Sequence, residues 1–416
     1  MQTNLVAEIK DTPEGQEAER ILRKCVHCGF CLATCPTYNL LGDELDSPRG
    51  RIYLIKEMLE GAAVTATTQL HLDRCLSCRA CESTCPSGVQ YGRLVDIGRE
   101  MVEHKVERPV MDKLKRTVLK KLLPQTMLFS AGLAIGRMMK PLLPEALAKK
   151  IVAKRESGIW PPAIHTRKML VLAGCVQPAM APNINAASAR VLHQLGISLV
   201  MAPNAGCCGA IPHHLNDVHE AHAFIKRNID AWWPFVTAGI EAIVVTASGC
   251  GTMVSEYGYA LRHDAVYAEK AARISLLFRD LSQVIAQEKV ALAKKLSTAP
   301  DFAQPQKLAF HSPCSLQHGL QIKNIVEGLL RDAGYELTMV PDGHLCCGSA
   351  GTYSLLQSEL SQQLLANKVK ALESGSPAVI ATANIGCLAH IESGLNSSTQ
   401  TPIRHWIELL DERLAG

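Results

Sequence analysis

The spacing of apolar positions changes along the chain, and the changes divide it into regions. Over residues 50–59 the apolar positions Ile52, Ile55, Met58 and Leu59 recur at helical intervals. Upstream, Thr12 stands where it can cap a helix that starts at Pro13, with Glu14 in its first turn. Beyond about residue 166 the pattern becomes short apolar runs separated by helical stretches. Residues 170–173, 198–201 and 243–246 read as buried strands, and 186–195 and 324–333 as helices between them. Such alternation predicts parallel sheets covered by helices. The intervening segment, 106–165, carries Lys113, Lys115, Arg116, Lys120 and Lys121, then Pro124, Pro141 and Pro144, which are predicted to divide it into short helices. It reads either as a linker packed on its neighbours or as a basic amphipathic surface for anionic lipid or a partner subunit.

The last region repeats itself. The run from Met169 to Cys175 matches that from Leu308 to Cys314, Cys207-Cys208-Gly209 matches Cys346-Cys347-Gly348, and the run ending at Cys250 matches that ending at Cys387. The offsets of the paired cysteines are 139, 139 and 137 residues, a period that means duplicated domains rather than a solenoid. The repeats are set at 166–300 and 301–416. Their cysteines fall at predicted strand ends and in the loops after them, where open α/β sheets gather ligands.

Cysteine adds the chemistry. All 16 cysteines fall in patterned positions. Cys25-x-x-Cys28-x-x-Cys31-x-x-x-Cys35-Pro36 recurs as Cys75-x-x-Cys78-x-x-Cys81-x-x-x-Cys85-Pro86. Three thiolates two residues apart wrap three irons of a cubane, and the fourth reaches across to the other cluster. Cluster one is therefore assigned to Cys25, Cys28, Cys31 and Cys85, and cluster two to Cys75, Cys78, Cys81 and Cys35. Zinc on paired Cys-x-x-Cys units does not suit a triple followed by Cys-Pro, twice over. With 39 residues between Cys35 and Cys75, the region 1–105 has room for helices, and a helical ferredoxin-like domain is expected. His27 and Ser77 read as neighbours of the clusters or solvent-facing, and Arg74, Arg79 and Arg93 as candidates to offset cluster charge. The fold class is thus multi-domain α and α/β, a helical ferredoxin-like domain followed by two tandem α/β cysteine-rich domains.

In each repeat the adjacent cysteines can present two thiolates to one centre, and Gly209 and Gly348 allow close backbone approach or positive φ. Cys175, Cys207, Cys208 and Cys250 make one set of candidate ligands, and Cys314, Cys346, Cys347 and Cys387 another. The histidines near them, His213, His214, His311 and His318, are candidate ligands or proton carriers, with ordinary packing as the alternative.

These motifs resemble the cysteine-rich domain family shared by heterodisulfide reductase catalytic subunits, anaerobic glycerol-3-phosphate dehydrogenase anchor subunits and glycolate oxidase iron–sulfur subunits. The family pattern ends in Cys-x-x-Cys, where this chain has Met253 and His390. A four-thiolate cluster, a zinc ion and a structural remnant stay open for these domains. The order of domains, together with the strings from Cys25 to Tyr38 and from Ser47 to Ile52, is similar to the glycolate oxidase iron–sulfur subunits over essentially the full length. That resemblance implies two [4Fe–4S] clusters, FAD only on partner subunits, and a complex that oxidises glycolate to glyoxylate and passes electrons on, with quinone as the expected acceptor. Iron–sulfur subunits of lactate and glycerol-3-phosphate dehydrogenases and a disulfide-reducing subunit are the alternatives.

Composition bounds the rest. A net charge of +4 with 20% charged residues calls for no nucleic acid. The first 24 residues lack an apolar signal region, and residues 126–136, ended by Arg137, are too short to span a bilayer. A cytoplasmic location is expected, with a peripheral place on the cytoplasmic face of the inner membrane as the further implication. No dinucleotide fingerprint or P-loop is present. The chain alone is expected to have no catalytic residues and to act as one subunit of an oxidoreductase.

Overall fold

The structure is a computed structural model that describes residues 1–142, 151–300, 306–395 and 401–415; Pro144 and its expected helix break lie outside these. The first region is helical. Thr12 Oγ1 accepts the Gly15 N–H at 3.0 Å and caps Pro13–Lys24, and Ser47 caps Pro48–Leu59 through the Gly50 N–H at 2.9 Å. Each helix has proline at its start, where no N–H is needed. Helix Tyr91–Lys105 packs across Pro48–Leu59 and Ala66–Asp73, and Ile21, Leu22, Ile52, Ile55, Leu59, Leu94 and Val95 form the buried core between them.

Helices Val110–Leu122 and Thr126–Met139 lie on either side of Pro124, as the prolines predict. Much of the positive charge of this segment is used internally. Arg116 is buried against Asp73 and Asp112 at 3.1 and 3.0 Å, while Lys120 reaches Asp217 at 2.7 Å and Lys121 reaches Glu220 at 3.1 Å. The segment therefore packs on its neighbours, and among what it leaves in solvent are an apolar stripe of Val110, Leu114 and Val118 and the lysines Lys113 and Lys115. No helix of the described residues is long and apolar enough to cross a membrane.

Each repeat forms a four-stranded parallel sheet. The first orders β1 (Arg167–Leu172), β2 (Ile197–Met201), β3 (Ile243–Val245) and β4 (Phe278–Asp280) as β2-β1-β3-β4. The second orders β5 (Gln306–His311), β6 (Tyr335–Leu337), β7 (Val379–Thr382) and β8 (Ile403–His405) as β6-β5-β7-β8. The strands β4 and β8, Phe-Arg-Asp and Ile-Arg-His, were not among the apolar runs because each has one apolar residue. In this order the chain leaves β1 on one side for β2 and on the other for β3, so the carboxyl ends of β1 and β3 border a topological switch point. Cys175 follows β1, and Cys207 and Cys208 follow β2. Cys250 and Cys387 depart from the expected loops: they sit in the first turns of helices Ser248–Ser255 and Ile385–Gly394. Unpaired N–H groups at a helix start favour a thiolate there.

The repeats pack as a pseudo-two-fold pair. Helix Asn183–Gln194 of the first lies on Trp406–Ala415 of the second, and the exchanged contact, Leu281–Gln287 on Ile325–Asp332, is also made. One apolar cluster runs through both, joining Ile184, Val191, Leu281 and Ile285 to Leu329, Leu330, Trp406 and Leu410. Arg190 binds Asp411 at 2.6 Å across the same interface.

Candidate metal centres

All sixteen cysteines are free thiols. In the first region the two loops are built alike. His27 and Ser77 hold φ of 56° and 52°, and two residues on, Gly29 and Arg79 hold 84° and 58°. Left-handed residues at the same places in both motifs curl each loop and turn its sulfurs inward. The Ser77 N–H points at Cys75 Sγ from 3.4 Å, and the Tyr91 hydroxyl donates to the same sulfur at 3.6 Å. Cys25, Cys28, Cys31 and Cys85 line one recess with Ile52 and Tyr91; Cys35, Cys75 and Cys78 line a second with Arg51; Cys81 borders both. Thus the fourth cysteine of each motif meets the first three of the other. Burial, aided by the nearby thiols Cys25, Cys28 and Cys85, pushes the Cys31 thiol up to about 11. A soft metal that takes the thiolate relieves that cost.

The three arginines named as candidates to offset cluster charge each have another partner, and of them Arg79 also lines the second recess. Arg74 binds Asp46 at 2.8 Å, Arg79 binds Glu256, and Arg93 stacks on Tyr259 with its guanidinium 3.8 Å from the ring centroid. The fully buried cation beside Cys35 and Cys75 is Arg51, which donates to Asp46, Thr37 Oγ1 and the His71 carbonyl. Arg99 holds the second loop from below, through the carbonyls of Leu72 and Cys75 and Ser77 Oγ. Sequence reasoning missed both, because their roles come from partners elsewhere in the chain.

A cavity of about 270 Å³ lies where the first region and the two repeats meet. Its wall carries Cys75 and Cys78 from the first region, Cys175, Cys207, Cys208 and Cys250 from the first repeat, and Cys314, Cys346 and Cys387 from the second; His213 and His214 also border it. Cys78, Cys314 and Cys346 share one apolar cluster with Leu76 and Tyr353. In the first repeat Cys175 and Cys208 bond to Cys207 and Cys208 bonds to Cys250; the bonds to Cys207 draw its pKa down, while Cys175 and Cys208 are pushed up. The second repeat repeats the chain, with Cys314 and Cys346 sulfurs 3.9 Å apart, Cys346 on Cys347, and Cys347 on Cys387.

Gly209 and Gly348 hold φ of 93° and 90°, and their N–H groups point at the Cys207 and Cys346 sulfurs from 3.5 and 3.4 Å. A Cβ at Gly348 would stand 2.7 Å from the Ser361 carbonyl oxygen, so glycine is required there. Met253 and His390 are both buried; Met253 lies against Gly209, and His390 Nε2 is 3.2 Å from Ser361 Oγ. His318 is taken up by Ser83 Oγ and the His344 carbonyl, each at 2.9 Å. His311 lies against Cys347 and Cys387. Soft sulfur donors dominate every group, which is the donor set of iron–sulfur clusters and of zinc.

Residues 21–89 match the family described as the 4Fe-4S dicluster domain, and residues 169–255 and 308–392 each match the cysteine-rich domain. The chain is 52% identical to the glycolate oxidase iron–sulfur subunit of Escherichia coli K12, covering 100% of this chain and 99% of that one. It is 29% identical to a probable glycolate oxidase iron–sulfur subunit of Bacillus subtilis 168, over 90% and 89% of the two chains. Lactate utilization protein A of Bacillus subtilis 168 is 26% identical and aligns over its whole length with 59% of this chain. A dicluster domain holds two [4Fe–4S] clusters, and the eight thiols gathered in two recesses suit them.

Proposed function

Because the chain belongs to the family of glycolate oxidase iron–sulfur subunits, we propose that it receives electrons from reduced FAD on a partner subunit and delivers them to an acceptor beyond the large cavity. Cys25, Cys28, Cys31 and Cys85 hold one [4Fe–4S] cluster, and Cys75, Cys78, Cys81 and Cys35 the other. When bound, the clusters supply one-electron redox chemistry. The protein supplies the two ends. At one, Cys28 is exposed between Val26 and Phe30, which are 67% and 64% exposed and form an apolar rim for a flavoprotein to dock on. At the other, Cys75 and Cys78 stand on the wall of the cavity that gathers the cysteines of both repeats. This placement is the observation that carries the reading. Arg51 puts a positive charge, and Tyr91 a hydroxyl, beside the second group of thiols.

In this reading the complex converts glycolate to glyoxylate at the partner's flavin, and quinone takes the electrons. The exposed stripe of Val110, Leu114 and Val118 is the face for a peripheral contact with the cytoplasmic side of the inner membrane. The decisive experiment is reconstitution. The purified chain, free of flavoprotein, is expected not to oxidise glycolate, and activity is expected to return on adding the FAD-binding subunits. Turnover by the single chain, or a reconstituted complex that oxidises lactate and not glycolate, overturns the proposal.

A further inference from the structure

The two repeats differ at the places that matter for a metal. The sheet registers pair Leu172 with Val245 in the first repeat and His311 with Thr382 in the second, so His311 occupies the place of Leu172, and Thr382 that of Val245. The carbonyls of Ala221 and Ser361 each lie against the glycine of their Cys-Cys-Gly loop, which makes Ser361 the counterpart of Ala221. His390 stands where the first repeat has Met253. At each of these positions an apolar residue of the first repeat is a polar one in the second.

His311 is the centre of the change. It is 2% exposed, and neither ring nitrogen has a hydrogen-bond partner among the described residues. A buried imidazole with both nitrogens unpartnered is costly, and the fold does not need one, since leucine fills the same place in the first repeat. What His311 does have is two sulfurs. A ring nitrogen, Cys347 Sγ and Cys387 Sγ lie within 4.8 Å of one another, all three residues buried. The Asn384 amide nitrogen donates to Cys387 Sγ at 3.4 Å and steadies that thiol.

We propose that His311, Cys347 and Cys387 bind a single zinc-class ion in the second repeat. One imidazole and two thiolates are a borderline-soft donor set that zinc accepts in tetrahedral geometry. The fourth position lies toward Cys346, the next thiol in the chain, and is filled by that sulfur or by water. Binding releases the thiol protons of Cys347 and Cys387, and that of Cys346 where its sulfur completes the shell, and no electrons are exchanged. The first repeat has leucine, Leu172, in the place of His311, so the imidazole donor belongs to the second repeat alone. This assignment goes beyond the electron-transfer reading and does not rest on it, because zinc content and coordination are read on the resting chain.

The test uses the full chain, purified anaerobically with its clusters and supplied with Zn²⁺. X-ray absorption at the zinc edge is expected to show one nitrogen at about 2.0–2.1 Å together with sulfurs at about 2.3 Å. His311→Leu, which copies the first repeat, is expected to weaken zinc retention against a chelator at least about tenfold while iron and sulfide stay unchanged. His311→Cys is expected to keep the ion and replace the nitrogen of the shell by sulfur. An all-sulfur zinc shell in the wild type, a wild type that retains no zinc, or undiminished retention in folded His311→Leu overturns the proposal. Should His311→Leu fail to fold, the wild-type shell decides the matter by itself.

Discussion

Arg79 grips both carboxylate oxygens of Glu256, at 2.6 and 2.9 Å, across the junction between the second cysteine loop and the first repeat. Arg79 belongs to the loop that carries Cys78, and Glu256 follows the helix that carries Cys250. The pair therefore ties the two thiol groups to one frame. A planar guanidinium meeting a carboxylate with two parallel bonds fixes orientation as well as distance. Glu256→Gln is expected to cost about 2 kcal/mol at this junction. Limited proteolysis of the holo-protein should then cut faster between the first region and the repeats, with iron content retained. Arg79→Lys keeps the charge but loses the fork, and should behave more like Glu256→Gln than like the wild type. Equal cleavage rates in all three proteins would remove the junction role.

The crossed grouping of thiols yields a pairing test. About eight irons and eight sulfides are expected per chain. Cys28→Ser and Cys85→Ser should disturb the same EPR signal of the dithionite-reduced protein, because both line the recess with Cys25 and Cys31. Cys35→Ser should instead disturb the signal altered by Cys78→Ser. Grouping by motif, with Cys35 following Cys28, would sink the crossed assignment.

Cys207 is the thiol of the first repeat best prepared to lose its proton, since Cys175 and Cys208 donate to it and the Gly209 N–H points at it. If a redox centre uses these thiols, Cys207→Ala should abolish electron delivery in the reconstituted complex and spare both ferredoxin EPR signals. A structural zinc predicts another outcome, a lower thermal midpoint with transfer preserved in the folded fraction. Four free, metal-free thiols in a folded and active complex would defeat both.

His405 links pH to the interface between the repeats. It is fully buried; its Nε2–H donates to the Thr246 carbonyl of the first repeat at 3.0 Å, and its Nδ1 accepts the Ile407 N–H at 3.4 Å. Both nitrogens are used by the neutral ring. Burial lowers its pKa from 6.5 to about 4. Between those values the unfolded chain takes up a proton that the folded chain refuses, so stability is lost as pH falls from about 6.5 toward 4, by at most about 3 kcal/mol. Asp280, at the matching place in the first repeat, is pushed up to about 6 by burial and acts in the opposite sense, its contribution being lost as pH rises. Comparing variants isolates the histidine. The thermal midpoint of His405→Gln should fall less between pH 7 and pH 5 than that of the wild type; parallel slopes would show that His405 is not responsible.

The architecture was legible wherever a local rule acts. Thr12 and Ser47 precede prolines that start helices, the apolar runs at 170–173 and 243–246 lie on buried strands, and the duplicated Cys-Cys-Gly loops have the positive-φ glycines that their composition implied. The strands β4 and β8 were not legible, because Phe278-Arg-Asp280 and Ile403-Arg-His405 each carry a single apolar residue, whereas the equally short β3 is apolar throughout. Nor were Arg51 and Arg99, whose roles come from distant partners at Asp46, His71, Leu72 and Cys75.

By itself the sequence determined the number and type of the thiol groups, because ligand spacing in a tight loop is local covalent geometry. It also determined that the last region is two copies of one α/β unit, because duplication survives as matched strings. Only the tertiary structure decided that Cys75 and Cys78 face the same cavity as Cys207 and Cys314, because that depends on how three units dock through contacts such as Arg79 with Glu256 and Tyr353 with the Arg74 carbonyl. The tertiary structure alone, too, separated the repeats chemically. Whether His311 is a packing residue or a donor depends on the loop of Cys347 and the helix start of Cys387 folding over the end of β5, which no spacing along the chain records.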